Sequence, residues 1–160
     1  MKSLANTIEV DKVDLVTRLI NDSKVHNDYS KKVEFIQPGA KILRFQFGPL
    51  KYLRKELLWP YLDELVDNLI TYYQKPENKP SWIHAHYADA GYVAVKLSKY
   101  LKVPFVFTGH SLGREKKRKL IDAGLKINQI EKLYCINKRI QAEEEALKYS
   151  NIIVTSTQQE

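Results

Sequence analysis

The sequence has few of the features that mark a secreted or membrane-bound protein. It holds a single cysteine, Cys135, so no internal disulfide can form, which agrees with a reducing cytosol. No apolar run approaches the ~20 residues that a membrane span needs. The N-terminus has no long apolar segment followed by a small-residue cleavage site. We therefore expect a cytoplasmic protein with no membrane partner.

Internal repeats, low-complexity tracts and an interdomain linker are also missing. The net charge of +7 fits an anionic ligand, nucleic acid, an anionic membrane surface or solubility alone. The densest basic cluster consists of Arg114, Lys116, Lys117, Arg118 and Lys119. Because no recognisable nucleic-acid module surrounds this cluster, we expect no nucleic-acid partner.

The length and composition are those of one soluble globular domain. The chain has 160 residues, of which 44% are hydrophobic and 28% charged. A chain of this size buries roughly two-thirds of its unfolded surface, so a single core is expected.

The first half of the sequence predicts three strands. Residues 2–8 read as the tail of a helix, and the predicted strands are residues 13–18, 33–37 and 41–47. Pro38 and Gly39 form a turn between the last two strands. A chain that opens on a helix tail leading into a strand suggests that an earlier strand of the fold is missing before Met1.

The second half predicts alternating helices and strands. An amphipathic helix follows Pro60, with apolar residues recurring at Leu62, Leu65, Val66, Leu69, Ile70 and Tyr73. The predicted strands are residues 82–87, 103–108 and 152–155, with a helix at 90–101 and two helices in 112–149 divided near Gly124. This alternation predicts an α/β fold with a parallel sheet covered by helices on both faces.

Polar segments follow two of the predicted strands. Residues 86–91 read His-Tyr-Ala-Asp-Ala-Gly, and residues 109–113 read Gly-His-Ser-Leu-Gly. Ligands of parallel sheets bind beyond the carboxyl ends of the strands. Small residues there let the backbone approach a ligand, and the N–H groups of a helix N-terminus suit a phosphate or an oxyanion.

Three histidines lie close to these segments. His84 and His86 share a face of a strand, and with His110 they could form a three-histidine metal site. The alternative is a hydrogen-bonded core histidine. Since no carboxylate stands at a metalloenzyme spacing, we expect no metal. His110, between small residues, is well placed to donate a hydrogen bond.

Each of the charged residues near these segments could either bind a ligand or have a purely structural or solvent-exposed role. Lys51, Arg54 and Lys55 could converge with Lys116 on a phosphate, or they could form a solvated surface, as we expect for Lys117 and Lys119. Asp89 could be a helix N-cap rather than a ligand contact. Arg139 and Glu143 have the spacing of an ordinary helical ion pair, which needs no ligand.

Several motifs resemble, in order and spacing, the N-terminal domain of sucrose-phosphate synthases. They are residues 86–91, 108–116, 139–144 and 154–160, joined upstream by 13–18, 47–49, 55–56 and 59–61. The resemblance implies half of a GT-B glycosyltransferase, a protein of two facing Rossmann-like domains. It also implies glucose transfer, with retention, from a nucleotide sugar such as UDP-glucose to fructose 6-phosphate, giving sucrose 6-phosphate without a cofactor or a metal.

The resemblance further implies roles for individual residues. His110 would be the catalytic histidine that contacts the transferred sugar. The residues expected to bind the acceptor are Lys55, Tyr87, Asp89, Ser111, Lys116 and Arg139. Of these, Lys55, Lys116 and Arg139 are candidates for the phosphate, with Lys51 and Arg54 able to exchange roles with Lys55.

The family's first strand, its glycine-glycine-glutamine loop and its C-terminal nucleotide-sugar domain have no counterpart in this sequence. We therefore expect residues 1–160 to be a partial acceptor-binding domain that is inactive alone. Two alternatives stay open: a non-catalytic sugar-phosphate binding module, or one part of a split transferase whose partner is a separate donor-domain chain. The donor base, the true acceptor and the oligomeric state also stay open.

Overall fold

The computed structural model describes residues 2–155. The chain divides into two compact units, Met1–Arg54 and Lys55–Glu160. The length of the chain predicted a single core instead. No helix within residues 2–155 is long and apolar enough to cross a membrane.

The first unit contains a mixed three-stranded sheet. Helix α1 (Lys2–Ala5) precedes strands β1 (Val13–Arg18), β2 (Val33–Gln37) and β3 (Ala40–Phe45), and a 3-10 helix spans Asn27–Ser30. The sheet order is β1-β3-β2, with β1 parallel to β3 and β2 antiparallel to it. The antiparallel pair departs from the predicted parallel arrangement. The two-residue turn at Pro38 and Gly39 can join only antiparallel neighbours, and Gly39 adopts a φ of 76° there.

Arg18, at the end of β1, organises the segment that follows β3. Its buried guanidinium donates to the backbone carbonyls of Phe47 and Lys51 at 3.1 and 3.0 Å, and also to that of Pro49. One charged side chain therefore binds three backbone carbonyls within residues 47–51, which stabilises a segment that belongs to no helix or strand.

The second unit contains a parallel sheet and five helices among the described residues. Two 3-10 helices, Lys55–Leu57 and Trp59–Tyr61, lead into α2 (Leu62–Tyr73), β4 (Ile83–His86), α3 (Tyr87–Leu101), β5 (Phe105–Thr108), α4 (Gly113–Asp122), α5 (Ile127–Tyr134), α6 (Ile136–Tyr149) and β6 (Ile152–Val154). The strand order is β4-β5-β6, all parallel. The predicted α/β class is confirmed.

The core of this unit lies between the sheet and two of its helices. Ala85, Phe105 and Phe107 share one face of the sheet and are buried with residues of α3 and α6. Gly91 permits the close packing, since a Cβ there would stand 2.8 Å from the ring of Phe107. The alternation of strand residues places His84 and His86 on the opposite face from Ala85.

Several predicted boundaries were wrong: β3 ends at Phe45 where residue 47 was predicted, and β5 begins at Phe105 where residue 103 was predicted. Residues 112–149 form three helices, because a second break follows Gly124 at Cys135, which adopts a left-handed φ of 46°. Helix α3 begins at Tyr87, three residues before the predicted start. Asp89 is consequently in the first turn of α3 and is not its N-cap, although a carboxylate there still interacts favourably with the helix dipole.

Candidate functional site

A pocket of about 310 Å³, which includes space open to solvent, lies beyond the carboxyl end of β4. Its lining residues are Lys55, Glu56, Trp59, Tyr87, Asp89, Lys116, Tyr134 and Arg139. Three of the lining side chains are cationic and two are acidic, so the pocket carries a net positive charge.

The ring of Tyr87 is the centre of the pocket. The guanidinium carbon of Arg139 lies 4.4 Å from its centroid and the ammonium of Lys55 lies 4.1 Å from it. Lys55 Nζ also donates to the Tyr87 hydroxyl at 3.0 Å. Two cations on one aromatic ring are each stabilised by its π face. The backbone of Tyr87 has a φ of 77°, a conformation that costs a bulky residue about 1–3 kcal/mol.

Arg139 is held in place by α6 and by the turn after β5. Its Nε donates to Oε1 of Glu143 at 2.8 Å, which confirms the helical ion pair as one of the two predicted interpretations. Its second amino group donates to the backbone carbonyl and hydroxyl of Ser111 at 2.7 and 3.1 Å. Arg139 still lines the pocket, so the ion pair and a ligand contact are compatible.

Glu143 also occupies the N-terminus of α4. Its Oε2 accepts from the backbone N–H of Gly113 at 2.6 Å. The first N–H of this helix is therefore already satisfied by a carboxylate and is not free for a phosphate, contrary to the expectation. Gly113 is required by packing: a Cβ there would lie 2.9 Å from Ile140 Cγ1 and 3.0 Å from Glu143 Oε2.

Lys116 extends from the first turn of α4 into the pocket. Its Nζ lies 3.9 Å from the ring centroid of Tyr134. Partial burial lowers the pKa of this ammonium group, and the positive charges of Arg139 and Lys55 lower it further, against opposing effects of Tyr87 and Glu56. An anion in the pocket would offset this repulsion.

The three histidines form a row on the face of the sheet opposite the core. His84 Nε2 lies 2.9 Å from the hydroxyl of buried Thr108, and its ring stacks on that of His86 at 4.1 Å between centroids. His86 Nδ1 lies 2.8 Å from Nε2 of His110. Burial lowers the pKa of both His84 and His86. The three rings are thus linked to one another and to Thr108 by hydrogen bonds and ring contacts.

The structure brings most of the predicted residues together. Lys55, Tyr87, Asp89, Lys116 and Arg139 line one pocket, and Ser111 joins them through its bonds to Arg139. His110 is next to Ser111 in the chain and contacts His86, which directly precedes Tyr87. Lys117 bonds to Asn137 at 3.0 Å and Lys119 pairs with Glu115 at 3.5 Å, and neither lines the pocket.

Lys51 and Arg54 belong to the first unit, whereas Lys55 belongs to the second. Of these three basic residues, Lys55 is the one that lines the pocket. The motif at residues 154–160 lies outside the described residues from position 156 onward.

Sequence reasoning missed Tyr134 and the second role of Glu143. Tyr134 lines the pocket and directly precedes the left-handed residue Cys135, which separates α5 from α6. Since neither glycine nor proline is present at this break, the sequence carries no signal for it. Glu143 was visible as the partner of Arg139, but its bond to Gly113 joins residues 30 apart in sequence.

Comparison with known proteins identifies the family. The profile of the sucrose synthase first GT-B domain matches residues 4–160. Probable sucrose-phosphate synthase 1 of Citrus unshiu is 40% identical over 187 residues, covering 99% of this chain and 18% of that protein. Sucrose-phosphate synthase 4 of Arabidopsis thaliana is 40% identical over 181 residues, covering 99% of this chain and 17% of that protein. The chain spans less than a fifth of the length of these relatives.

A solved structure is similar in fold. Sucrose-phosphate synthase from Thermosynechococcus elongatus superposes with a TM-score of 0.68 at 24% identity, over 88% of this chain and 31% of that one. The identity is low enough that this likeness concerns the fold alone, which is that of a GT-B domain. Taken with the family profile and the curated relatives, it shows that the chain belongs to the sucrose synthase family of first GT-B domains and is similar along nearly its whole length to sucrose-phosphate synthases.

Proposed function

We propose that the pocket around Tyr87 binds the phosphate group of a sugar-phosphate acceptor, fructose 6-phosphate. The observation that carries this proposal is the convergence of Lys55, Lys116 and Arg139 on one pocket. Lysines act on a phosphate as point charges, while arginine offers a planar set of donors. Burial lowers the pKa of Lys116 and the positive charges of Arg139 and Lys55 lower it further, so a phosphate in the pocket would stabilise the charged form of this lysine.

The enzyme to which this site contributes is, in our proposal, a retaining hexosyltransferase. It transfers glucose from a nucleotide sugar, UDP-glucose, to fructose 6-phosphate and gives sucrose 6-phosphate. His110 contacts the transferred glucose, and Tyr87, Asp89 and Ser111 contact the acceptor. The similarity to sucrose-phosphate synthases supports this reaction. We assign the nucleotide-sugar site to a part of the enzyme other than these 160 residues, and we place the protein in the cytosol.

Calorimetric titration with fructose 6-phosphate tests the binding site. Lys116→Ala should weaken binding at least ~10-fold, the loss expected for one charge-assisted hydrogen bond of about 1.5 kcal/mol. Lys119→Ala is the matched control, because Lys119 is on the same helix and pairs with Glu115. Equal affinity of the wild type and Lys116→Ala would contradict the proposed site.

A transfer assay tests the assignment of the donor site. The isolated chain, incubated with UDP-glucose and fructose 6-phosphate, should release no UDP above background. Turnover by this chain alone would show that it also binds the donor productively, and would overturn that assignment without touching the acceptor site.

A further inference from the structure

A direct hydrogen bond joins the two histidines at the carboxyl ends of β4 and β5. In the parallel register His86 stands opposite Thr108, the last residue of β5, and His110 lies two residues farther along the chain, in the loop after that strand. The distance from His86 Nδ1 to His110 Nε2 is 2.8 Å. A bond between two imidazole nitrogens requires a proton on one and a lone pair on the other. The tautomers of the two rings are therefore coupled.

The ring of His86 is itself held from the other side. It stacks on His84 with 30° between the ring planes, and His84 is within 2.9 Å of the Thr108 hydroxyl. Thr108 is 4% exposed and is the last residue of the central strand, β5. The His84 end of the row is thus attached to a buried residue of the sheet, and His86 has ring neighbours on both sides.

His110 has no comparable support of its own. Like His84 and His86 it is exposed, and its backbone has a φ of 61°, a left-handed conformation in a loop between Gly109 and Ser111. Exposed side chains change rotamer on a picosecond-to-nanosecond timescale. The bond to His86 is the hydrogen bond that fixes the His110 ring in the described part of the chain.

We propose that His86 is a positioning residue for His110: it holds the plane of the His110 ring and confines it to one tautomer through the bond at Nε2. The other ring nitrogen of His110, Nδ1, then has one fixed state toward a ligand: it either donates a proton or accepts one, and the two tautomers are not both populated. The inference rests on the proposed function only in taking that ligand to be the transferred sugar. A tautomer fixed before the sugar binds lowers the cost of ordering the site.

The direction of the pKa shifts agrees with this arrangement. Partial burial of the His86 ring lowers its pKa, and the neighbouring His84 and His110 lower it further, which favours the neutral form of the ring. Burial likewise lowers the pKa of His84. A neutral His86 has one donor and one acceptor nitrogen, which is what a defined bond to a second imidazole needs.

Nitrogen-15 NMR of the histidine side chains tests the proposal on the ligand-free chain. The sequence has only 4 histidines, so the signals can be assigned by substitution, with His26 as a reference in the first unit. We expect a scalar coupling between Nδ1 of His86 and Nε2 of His110, and shifts of a single tautomer in each ring. The absence of the coupling, or averaged shifts for His110 in the wild type, would overturn the proposal.

Three variants separate positioning from a structural role. His86→Phe keeps the stack on His84 but removes the bond, so the His110 shifts should move to the average of two tautomers. His86→Asn places an amide near the position of Nδ1 and should restore a single tautomer. His26→Phe is the control, because His26 belongs to the first unit and contacts Asp28, and it should leave the His110 shifts unchanged.

The outcomes are distinguishable from failure of the proposed function. If His110 keeps one tautomer in a folded His86→Phe protein, the inference is wrong whatever the acceptor. If the coupling is present and fructose 6-phosphate does not bind, the proposed function is wrong and the positioning of His110 stands. If His86→Phe fails to fold, the scalar coupling in the wild type and the spectrum of His86→Asn still test whether His86 positions His110.

Discussion

The guanidinium Nε of Arg139 lies 2.8 Å from Oε1 of Glu143, and the two side chains are only 5% and 3% exposed. The pair spans one turn of α6 and is extended at both ends. Arg139 bonds to Ser111, and Glu143 bonds to the first N–H of α4. A single buried ion pair therefore ties α6 to the turn that carries His110 and to the helix that carries Lys116.

Glu143→Ala should destabilise the fold by about 3–5 kcal/mol, because it leaves the buried charge of Arg139 unpaired and the N–H of Gly113 unsatisfied. Urea unfolding followed by circular dichroism measures the loss. Glu144→Ala is the matched control: Glu144 pairs with Arg114 on the surface, 47% and 76% exposed, and its loss should cost no more than about 1 kcal/mol. Similar losses in the two variants would contradict the structural role of the buried pair.

Two glycines flank the turn at His110, and alanine should affect them differently. Gly113→Ala should cost about 1–3 kcal/mol, since its Cβ would stand 2.9 Å from Ile140 Cγ1. Gly109→Ala meets nothing closer than 3.4 Å and should cost less than about 1 kcal/mol. Thermal unfolding of the two variants provides the comparison. A larger loss at position 109 would show that the packing of α6 on this turn is described wrongly.

Tyr87→Phe should separate the ring of Tyr87 from its hydroxyl. The ring keeps both cations above it, while Lys55 loses its bond to the hydroxyl, so the unfolding free energy should change by less than about 1 kcal/mol. Affinity for fructose 6-phosphate should change by less than about 5-fold. Tyr87→Leu removes the aromatic face and should weaken binding more than Tyr87→Phe does. Calorimetry measures the two affinities. Weaker binding by Tyr87→Phe than by Tyr87→Leu would contradict the role assigned to the aromatic ring.

The affinity for a sugar phosphate should fall as the pH rises toward 10.5, the ordinary pKa of a lysine. The lowered pKa of Lys116 means that the free protein loses this proton earlier, while a bound dianion favours the charged form, so binding takes up a proton in this range. The ligand's own second pKa of about 6 lies well below it. Lys116→Arg stays charged and should remove this part of the pH dependence.

Calorimetry in two buffers of different ionisation enthalpy measures the proton uptake directly. The same shift acts on stability: between the lowered pKa and 10.5 the unfolded state binds more protons than the folded state, so the contribution of Lys116 to the free energy of unfolding rises with pH. No proton uptake by the wild type at alkaline pH would contradict the account of Lys116.

The sequence predicted the elements well where periodicity and turn residues agree. The bounds of β1 and β2 are those predicted, and the break near Gly124 is present, with a φ of 87° at that glycine. The break at Cys135 escaped prediction because a non-glycine residue adopts the left-handed conformation there, without a local signal. The early start of α3 escaped for the same reason, since Tyr87 has a φ of 77°.

The candidate site was predicted residue by residue from motifs, and its internal contacts were not. Spacing alone could suggest that Arg139 pairs with Glu143, because both are on one helix. It could not show that Glu143 also holds Gly113, or that His86 holds His110, because these contacts join separate elements. Such contacts depend on how α4 and α6 pack and on how β4 and β5 pair.

The phosphate dependence of binding tests the central claim most directly. The wild-type chain is titrated calorimetrically with fructose 6-phosphate and, under the same conditions, with fructose. The account predicts that fructose 6-phosphate binds and that fructose produces no measurable heat at the same concentrations, because Lys55, Lys116 and Arg139 act on the phosphate. Equal binding of the two sugars, or no binding of either, would contradict it.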